Sequence, residues 1–368
     1  MKIVYQGYYG EKNSGDDAFV DIAAWGATKY WKCNKHLFFA SQLPKIKTEV
    51  TCLNPYKNYY YFSKAILNVF SSDIYVSAGG STFHSSLKES DMRTYAKLSK
   101  RLKIKGIVGA IGVSLGPYKN TDAEKSTISY LKQIDFLALR DRYSYELACS
   151  YNLPYNPIEA FDLAALLPII YPYECNSKTS NTKILGISIC NYESYTRGDT
   201  SKEIQRNIFI QNILEHFKKD KSVKLRFFIF NGNPIIGDKQ ITEDIIHKLS
   251  LKAGVDNYEI IPYLDNVRKT FEKIQECNVV ISTRLHASIF ACFADVPFFL
   301  LEYHRKCTDF LTDIGQSSQY RVYNGEFEIK KTISEIENIL HNDIYTAPLH
   351  INSAKDKALK NFTETLFY

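Results

Sequence analysis

Residues 278–302 read NVVISTRLHASIFACFADVPFFLLE. Val279 to Ile281 form a short apolar, β-branched run that is typical of a strand buried on both faces of a sheet. The segment from Ala287 to Ala294 predicts a small, tightly packed helix, and Pro297 to Leu301 predicts the next strand. A strand, a helix and a second strand in this order indicate a parallel α/β sheet.

Arg284 and His286 lie at the turn between this strand and this helix. In a parallel α/β sheet, the carboxyl ends of strands and the amino ends of the following helices border the ligand crevice. Unpaired N–H groups and the helix dipole favour an anion there. Taken alone, His286 reads more readily as a core or capping histidine. Its companion Arg284 and its position instead favour a phosphate or carboxylate site with a proton donor beside it.

Predicted strands and helices alternate along most of the chain, which at 368 residues is too long for one ordinary core. This pattern predicts an α/β protein with two Rossmann-like domains and a cleft between them. The expected domains are 1–170 and 183–350, joined by the polar linker Tyr171–Thr182. A last helix within 351–368 is expected to pack back on the first domain.

Composition excludes several classes of protein. The net charge of +6 comes without an Arg/Lys cluster interleaved with aromatics, so nucleic acid is not an expected partner. The eight cysteines include no CxxC and no zinc spacing, which predicts buried free thiols and no metal. Neither a signal peptide nor a membrane span is present, so we expect a cytoplasmic protein, with the inner face of the membrane as an alternative. The aromatic run Tyr59–Phe62 predicts a packed helix face, with lipid contact as the alternative.

A glycine-rich loop, GYYGEKNSGDD, spans Gly7–Asp17 between the first strand and a helix predicted to start at Asp17. Glycines permit tight turns and close approach of the backbone to a ligand, so Asn13 and Gly15 are candidate ligand contacts. Asp16 or Asp17 either caps the helix or orients and deprotonates a sugar hydroxyl. The spacing matches neither GxGxxG nor a P-loop.

A second glycine pair follows the strand predicted over Asp73–Ser77, in the sequence SAGGSTFH of residues 77–84. Gly79 and Gly80 predict a backbone-lined turn at the same edge of the sheet. His84 is either a ligand contact or a surface or capping histidine, and the second role is more common.

Two further cations follow predicted strands. Arg140 ends a strand in LRDRYS, residues 139–144, and is expected to point at the crevice. The alternative is a surface ion pair, Arg140–Asp141 or Arg142–Glu146, that contributes little. Lys306 in EYHRK, residues 302–306, either adds charge to the crevice or begins a solvated helix.

Together these blocks resemble the polysaccharide pyruvyl transferase family. The resemblance covers most of the chain and rests on the order and spacing of blocks at Gly7–Asp17, Ala78–Gly80, Arg140–Ser144, Phe161–Asp162, Arg284–His286 and Tyr303–Phe310. Ala78 stands where a third glycine is common. The resemblance implies two Rossmann-like domains of the GT-B type. It also implies transfer of the enolpyruvyl unit of phosphoenolpyruvate to a sugar, which leaves a pyruvate ketal and releases phosphate.

The resemblance implies roles for the site residues. Arg140, Arg284 and Lys306 would bind the phosphate and carboxylate of phosphoenolpyruvate, and Leu285 belongs to the same motif. His286 resembles the family's general acid, which suits a histidine because its ordinary pKa lies near neutrality. Asp16 or Asp17 is the candidate base. No metal or cofactor is required.

The implied acceptor is a sugar of a surface or exopolysaccharide repeat unit, such as a capsule, with a lipid-linked acceptor and peripheral membrane association as open alternatives. Two rival functions share the fold. One is a GT-B glycosyltransferase that uses a nucleotide sugar; retaining members usually carry a glutamate-bearing glycine-rich loop where Thr283–His286 stands here. The other is a non-catalytic family member that binds glycan.

Overall fold

The computed structural model describes residues 1–102, 106–172 and 182–365. Its contacts divide the chain into two compact units: unit 1 comprises Met1–Gly10, Asp16–Ile170 and Asn352–Tyr368, and unit 2 comprises Glu11–Gly15 and Tyr171–Ile351. The short segment Glu11–Gly15, which the sequence analysis placed in the first domain, therefore belongs with unit 2. Most of the predicted linker, residues 173–181, lies outside the described residues.

Unit 1 contains a parallel sheet. Within the described residues it has seven strands, β1 to β7: Lys2–Gln6, Lys35–Phe39, Thr51–Leu53, Ile74–Phe83, Ile107–Leu115, Phe136–Leu139 and Ile158–Glu159. The spatial order is β3-β2-β1-β4-β5-β6-β7, and each neighbouring pair is parallel. Parallel neighbours require crossover connections, which the intervening helices supply.

The helices of unit 1 cover both faces of this sheet, as expected for parallel strands buried on both sides. Helices α1 to α6 span Ser14–Trp31, Tyr59–Phe70, Met92–Arg101, Thr121–Leu131, Arg142–Cys149 and Leu167–Ile170, the last preceded by a 3-10 turn at Leu163–Leu166. The final helix of the chain, α14, spans Ile351–Thr363, and its buried residues also lie in unit 1.

Unit 2 repeats the plan. Among the described residues its strands, β8 to β13, are Lys183–Ser188, Val223–Phe228, Tyr258–Ile261, Val279–Ser282, Phe298–Glu302 and Arg321–Tyr323. They form one parallel sheet in the order β10-β9-β8-β11-β12-β13. Helices α7 to α13 are Glu193–Thr196, Ser201–Phe217, Lys239–Lys248, Val267–Gln275, Leu285–Phe293, Arg305–Asp313 and Ile329–Asn342.

Both sheets have a Rossmann-like order, which confirms the predicted fold class. The strand order reverses between β1 and β4 in unit 1 and between β8 and β11 in unit 2. In such sheets, ligands bind outside the carboxyl ends of the strands at these points. Each unit has its own core of buried apolar side chains, as a separate domain requires.

Strand β4 is longer than predicted and contains Gly79 and Gly80, so the predicted turn at these glycines is wrong. Pairing with β5 continues beyond both of them, to Phe83 opposite Leu115, with a shift of register after Gly80. Both glycines have a φ of +75°, a conformation that a Cβ disfavours. The glycines therefore allow an irregular stretch within a continuous strand.

Other differences from the prediction are local. Strands β2, β3 and β13 were not predicted, because β3 and β13 have only three residues each and β2 reads KHLFF, without clear alternation. Helix α1 begins at Ser14 and not at Asp17. The run Tyr59–Phe62 begins α2, where Tyr61 and Phe62 pack against the core of unit 1 but Tyr59 is 85% exposed. Among the described residues, no helix is both long and apolar enough to cross a bilayer.

Candidate active site

The turn from β11 to α11 is held by short hydrogen bonds. Arg284 occupies the position before the first helical residue, with extended backbone angles of φ −77° and ψ 117°. Ser282 Oγ donates to the Arg284 carbonyl at 2.9 Å and shares a 2.8 Å hydrogen bond with Ser288 Oγ. Thr283 N donates to the Ser188 carbonyl of β8 at 2.9 Å. The turn that presents Arg284 is therefore fixed from both sides.

Asp238 anchors the guanidinium of Arg284. Arg284 Nε donates to Asp238 Oδ1 at 2.8 Å, and Nη2 donates to the same oxygen. The Asp238 side chain is fully buried, whereas that of Arg284 is 20% exposed. Among the described residues no hydrogen bond uses Arg284 Nη1. One edge of the guanidinium is thus bound to the protein, and the other remains for a ligand.

The environment keeps Arg284 cationic. Burial would lower the pKa of Arg284, but the charges of Cys190 and Asp238 and the hydrogen bonds to Asp238 raise it above its ordinary value. Burial raises the pKa of Asp238, and the neighbouring Arg284 opposes that shift. Asp238 Oδ2 also accepts from Asn231 N at 2.9 Å, so both carboxylate oxygens are used. This carboxylate positions the arginine and is not available to solvent.

His286 lies in the first turn of α11, and its ring packs against the backbone of Gly15. A Cβ built on Gly15 would lie 2.2 Å from His286 Nδ1, far closer than any real contact. Gly15 is held in unit 2 by backbone pairing, since Ser14 N donates to the Phe230 carbonyl at 2.9 Å and Asn13 bridges Asn231. The structure therefore brings together two residues that the sequence analysis had assigned to separate motifs.

Lys306 lies in the first turn of α12, directly after β12. Strand β12 pairs with β11, so α11 and α12 begin at the same edge of the sheet of unit 2. His304 caps α12, with its Nδ1 accepting from Lys306 N at 3.2 Å. Lys306 is half-buried. It lies at a helix start, but one that is only partly solvated, and at the same sheet edge as Arg284.

In unit 1, Asp16, Gly80, Tyr8 and His84 gather at the carboxyl ends of β1 and β4. A Cβ built on Gly80 would lie 3.9 Å from both Asp16 Oδ1 and Tyr8 Cδ2. The rings of Tyr8 and His84 are 6.4 Å apart. His84 is half-buried, with its Nδ1 2.9 Å from the Ser81 carbonyl. These polar groups form a surface at the edge where Rossmann-like domains bind ligands.

Asn13, and neither Asp16 nor Asp17, caps helix α1, which corrects the capping role considered for the two aspartates. Asn13 Oδ1 accepts from Gly15 N at 3.1 Å. Because the helix starts at Ser14, Asp16 and Asp17 lie inside its first turn, where the helix dipole favours a carboxylate. Asp17 is 2% exposed and Asp16 is half-buried, so Asp16 is the better placed of the two to contact a substrate.

Arg140 is buried in unit 1 and does not form the surface pair with Asp141. Its Nη1 contacts Asp162 Oδ2 at 3.1 Å, its Nε donates to Ser114 Oγ at 2.6 Å, and its Nη2 donates to Ser81 Oγ at 3.4 Å. Asp141 instead caps α5. Arg140 ties together the ends of neighbouring strands, and a ligand anion would compete with Asp162 for it.

The alternative pair Arg142–Glu146 is present at 2.8 Å and is well exposed.

Asp238, the partner of Arg284, was not among the site residues predicted from the sequence. It follows β9 in the Asn/Gly-rich loop NGNPIIGD, residues 231–238, and precedes α9. Like the other predicted site segments, this loop follows the carboxyl end of a strand, and that position could have drawn attention to Asp238. Only the fold shows that Arg284 is its partner.

Two solved structures with a similar fold are UDP-GlcNAc 2-epimerases. UDP-GlcNAc 2-epimerase from Neisseria meningitidis has a TM-score of 0.63 at 14% identity, covering 99% of this chain and 100% of that one. The enzyme from Methanocaldococcus jannaschii has a TM-score of 0.59 at 14% identity, covering 97% and 98%. At this identity the likeness shows the fold alone, which is of the GT-B type. A search of curated proteins finds no match.

The sequence model of one family spans most of the chain. It describes the polysaccharide pyruvyl transferases and matches residues 18–305, a range that includes Arg140, Asp238 and the whole Arg284–His286 turn. The predicted resemblance is thereby confirmed. On this match, the chain belongs to the polysaccharide pyruvyl transferase family.

Proposed function

We propose that the protein transfers the enolpyruvyl group of phosphoenolpyruvate to a sugar of a surface or exopolysaccharide repeat unit, forming a pyruvate ketal and releasing phosphate. The observation that carries the proposal is the turn at the start of α11. There Arg284, held by the buried Asp238, stands two residues before His286, which packs on Gly15. This arrangement offers a fixed cation and a proton donor side by side.

The cations suit a donor with two anionic groups. Arg284 Nη1 and the positive end of the dipole of α11 would bind an anion with little reorganisation. Lys306 begins the neighbouring helix α12 at the same sheet edge and would bind the second anionic group. Phosphoenolpyruvate carries a phosphate and a carboxylate, so both sites would be used.

The chemistry needs a proton on C3 of phosphoenolpyruvate before C2 becomes electrophilic. His286 supplies that proton, and a sugar hydroxyl then forms a bond to C2 while losing its own proton to a base. The C2–O bond to phosphate breaks and phosphate leaves, with its charge stabilised by Arg284. A second hydroxyl of the same sugar adds to C2 and closes the ketal, and its proton returns to His286, while the phosphate takes up the proton held by the base. Asp16 is the proposed base, with Asp17 as the second candidate.

Calorimetric titration of the purified protein with phosphoenolpyruvate and, separately, with UDP-GlcNAc tests the donor. We expect phosphoenolpyruvate to bind and Arg284→Ala to weaken it at least about tenfold, the effect of about 1.4 kcal/mol. Arg142→Ala, which removes an exposed arginine of unit 1, is the matched control and should bind normally. Binding of UDP-GlcNAc without binding of phosphoenolpyruvate would instead support a nucleotide-sugar enzyme.

Turnover is tested on glycan isolated from a strain that lacks the gene, with phosphate release and mass spectrometry of the product as readouts. The wild-type protein should release phosphate and add a pyruvate ketal, and His286→Ala should do neither while it still binds phosphoenolpyruvate. Near-normal turnover by His286→Ala would remove the general-acid role. Unaltered glycan function in cells that carry this variant would favour a non-catalytic glycan-binding protein.

A further inference from the structure

Unit 1 contains a cavity of about 560 Å³ that none of the motifs above explains. It is lined by the first residues of β1, β2 and β3, namely Lys2, Lys35 and Thr51, and by residues of α2 that include Lys64. These are the amino ends of the strands. Asp16 and Gly80 lie at the carboxyl ends, so the cavity lies at the opposite edge of the sheet from the candidate base Asp16.

The charges of the cavity are not balanced by its own carboxylates. Lys2, Lys35 and Lys64 line it, and Glu49 is the one acidic residue among its lining residues. Lys2 Nζ donates to two neutral oxygens, Asn68 Oδ1 at 2.9 Å and Ser71 Oγ at 2.8 Å. Among the described residues, no hydrogen bond or ion pair uses the Nζ of Lys35 or Lys64.

Lys2 and Lys35 also lie close enough for their charges to repel one another. Burial and then the charge of Lys35 lower the pKa of Lys2, and Asp73 only partly opposes them. Asp73 Oδ2 accepts from the backbone N of Lys2 at 2.7 Å, so part of this carboxylate is already engaged by the main chain. An anion in the cavity would relieve this repulsion and accept charge-assisted hydrogen bonds from Lys35 and Lys64, whose ammonium groups are exposed.

We propose that this cavity binds a small organic phosphate of about the size of a sugar phosphate. The lining residues, three lysines and one glutamate, carry two net positive charges, and a phosphate dianion matches them. Glu49 can accept from a hydroxyl of the organic part, and Leu37 and Leu53 supply apolar wall. The volume lies within the range of about 300–1,000 Å³ that is usual for small-molecule sites, and exceeds what inorganic phosphate fills. Because the cavity is remote from the carboxyl ends of the strands, its ligand would not be the reacting substrate.

The alkylation rate of Cys52 reports directly whether a ligand occupies the cavity. Cys52 is an exposed free thiol that lines the cavity, and Cys149 on α5 is an exposed free thiol that does not. The rate at which iodoacetamide alkylates each cysteine is measured by peptide mass spectrometry, with and without glucose 1-phosphate. At a ligand concentration about ten times Kd, only about one site in eleven is empty, so alkylation of Cys52 should slow up to about tenfold while that of Cys149 is unchanged. Glucose, which lacks the phosphate, should not protect.

Matched variants separate this site from the rest of the protein. Lys35→Gln/Lys64→Gln should lose the protection of Cys52, and Lys125→Gln/Lys132→Gln, which removes two exposed lysines elsewhere in unit 1, should keep it. Arg284→Ala should also keep it, because the cavity does not depend on the proposed donor site. The inference is overturned if glucose 1-phosphate gives no protection of Cys52, if inorganic phosphate protects equally well, or if protection survives in Lys35→Gln/Lys64→Gln.

Discussion

The backbone of Gly15 packs closely against the ring of His286. A glycine in the first turn of a helix is ordinarily a weakness, because alanine is the better helix former by about 1 kcal/mol. Here the absence of a Cβ is what lets the imidazole lie on the backbone of Gly15. Glycine at this position therefore lowers the stability of the helix but leaves room for the ring of His286.

Gly15→Ala should reduce turnover strongly while the protein stays folded. The added methyl would meet His286 at 2.2 Å, so the ring must move away from its observed position. Phosphate release should fall by at least about tenfold, with the affinity for phosphoenolpyruvate less affected, because the misplacement of a catalytic group by about 1 Å costs up to about a hundredfold. Gly198→Ala is the control, since its Cβ would meet nothing closer than 3.5 Å. Full turnover by Gly15→Ala would show that His286 does not act from this position.

Asp238→Ala tests whether the buried carboxylate positions Arg284. Its removal leaves a cation that is only 20% exposed without its partner, a change that typically costs about 3–5 kcal/mol when a buried pair is broken. We expect Asp238→Ala to unfold at a lower urea concentration. The more conservative Asp238→Asn should raise the KM for phosphoenolpyruvate with a smaller change in kcat. Glu272→Gln, which breaks the exposed pair with Arg268, should change stability by no more than about 0.5 kcal/mol. An unchanged KM in Asp238→Asn would mean that the pair is structural only.

At the scale of elements, the start of α3 is held by one carboxylate. Asp91 caps the helix, accepting from Arg93 N at 2.9 Å, and also binds the Arg93 guanidinium. Arg93 in turn donates from Nη1 to the Thr82 carbonyl of β4 at 3.0 Å. Burial would raise the pKa of Asp91, but the hydrogen bonds and charge of Arg93 outweigh it and lower the pKa. The helix is thereby tied to the strand that carries Gly79 and Gly80.

This lowered pKa predicts a dependence of stability on pH. A carboxyl group with a depressed pKa in the folded state stabilises the protein above its unfolded pKa of about 3.9 and loses that contribution as the pH falls through the folded value. Asp91→Asn keeps the cap but removes the charge, so it should be destabilised by about 1–3 kcal/mol at neutral pH. The difference from wild type should shrink in urea unfolding below pH 4. Asp356→Asn, at an exposed position on α14, should show no difference at either pH.

Helix α14 is attached to unit 1 through Asn361, which is fully buried. Its Oδ1 accepts from Gly112 N at 2.7 Å, and its Nδ2 donates to the Phe161 carbonyl at 3.0 Å. Asn361→Ala leaves both backbone groups buried and unsatisfied, at about 1–3 kcal/mol each. We expect a clear loss of thermal stability, whereas Asn352→Ala on the exposed part of the same helix should be neutral. Equal stability of the two variants would contradict this role.

At the scale of the molecule, unit 1 is assembled from distant parts of the chain. Phe362 is fully buried, its carbonyl accepts from Trp31 Nε1 at 3.1 Å, and its ring fills the space beside Gly26. A chain that ends at Ile351 should therefore show faster hydrogen exchange in α1 and β5. The core of unit 2 has its own buried residues and should exchange as in the full chain. Equal protection of α1 in both chains would mean that α14 adds nothing to unit 1.

The alternation of short apolar runs with helical stretches was sufficient to predict two Rossmann-like domains, because a parallel strand buried on both faces has a local signature. The same alternation placed Arg284 and His286 at the turn between a strand and the next helix, because that position depends only on the order of elements along the chain. Strands β3 and β13 lie at the edges of their sheets and were missed because three residues carry too little periodicity, and β2 was missed because KHLFF shows no clear alternation. The glycine pair at 79–80 was misread because a glycine in a turn and a glycine in an irregular strand look alike in sequence.

By itself, the sequence determined the fold class, the family and the turn at which a cation and an imidazole stand together. These depend on local pattern and on the order of blocks. Only the tertiary structure decided the partners: Asp238 for Arg284, Gly15 for His286 and Asp162 for Arg140. Each pair joins residues far apart in the chain, and burial, charge and close packing act through distance in space and not through separation in sequence.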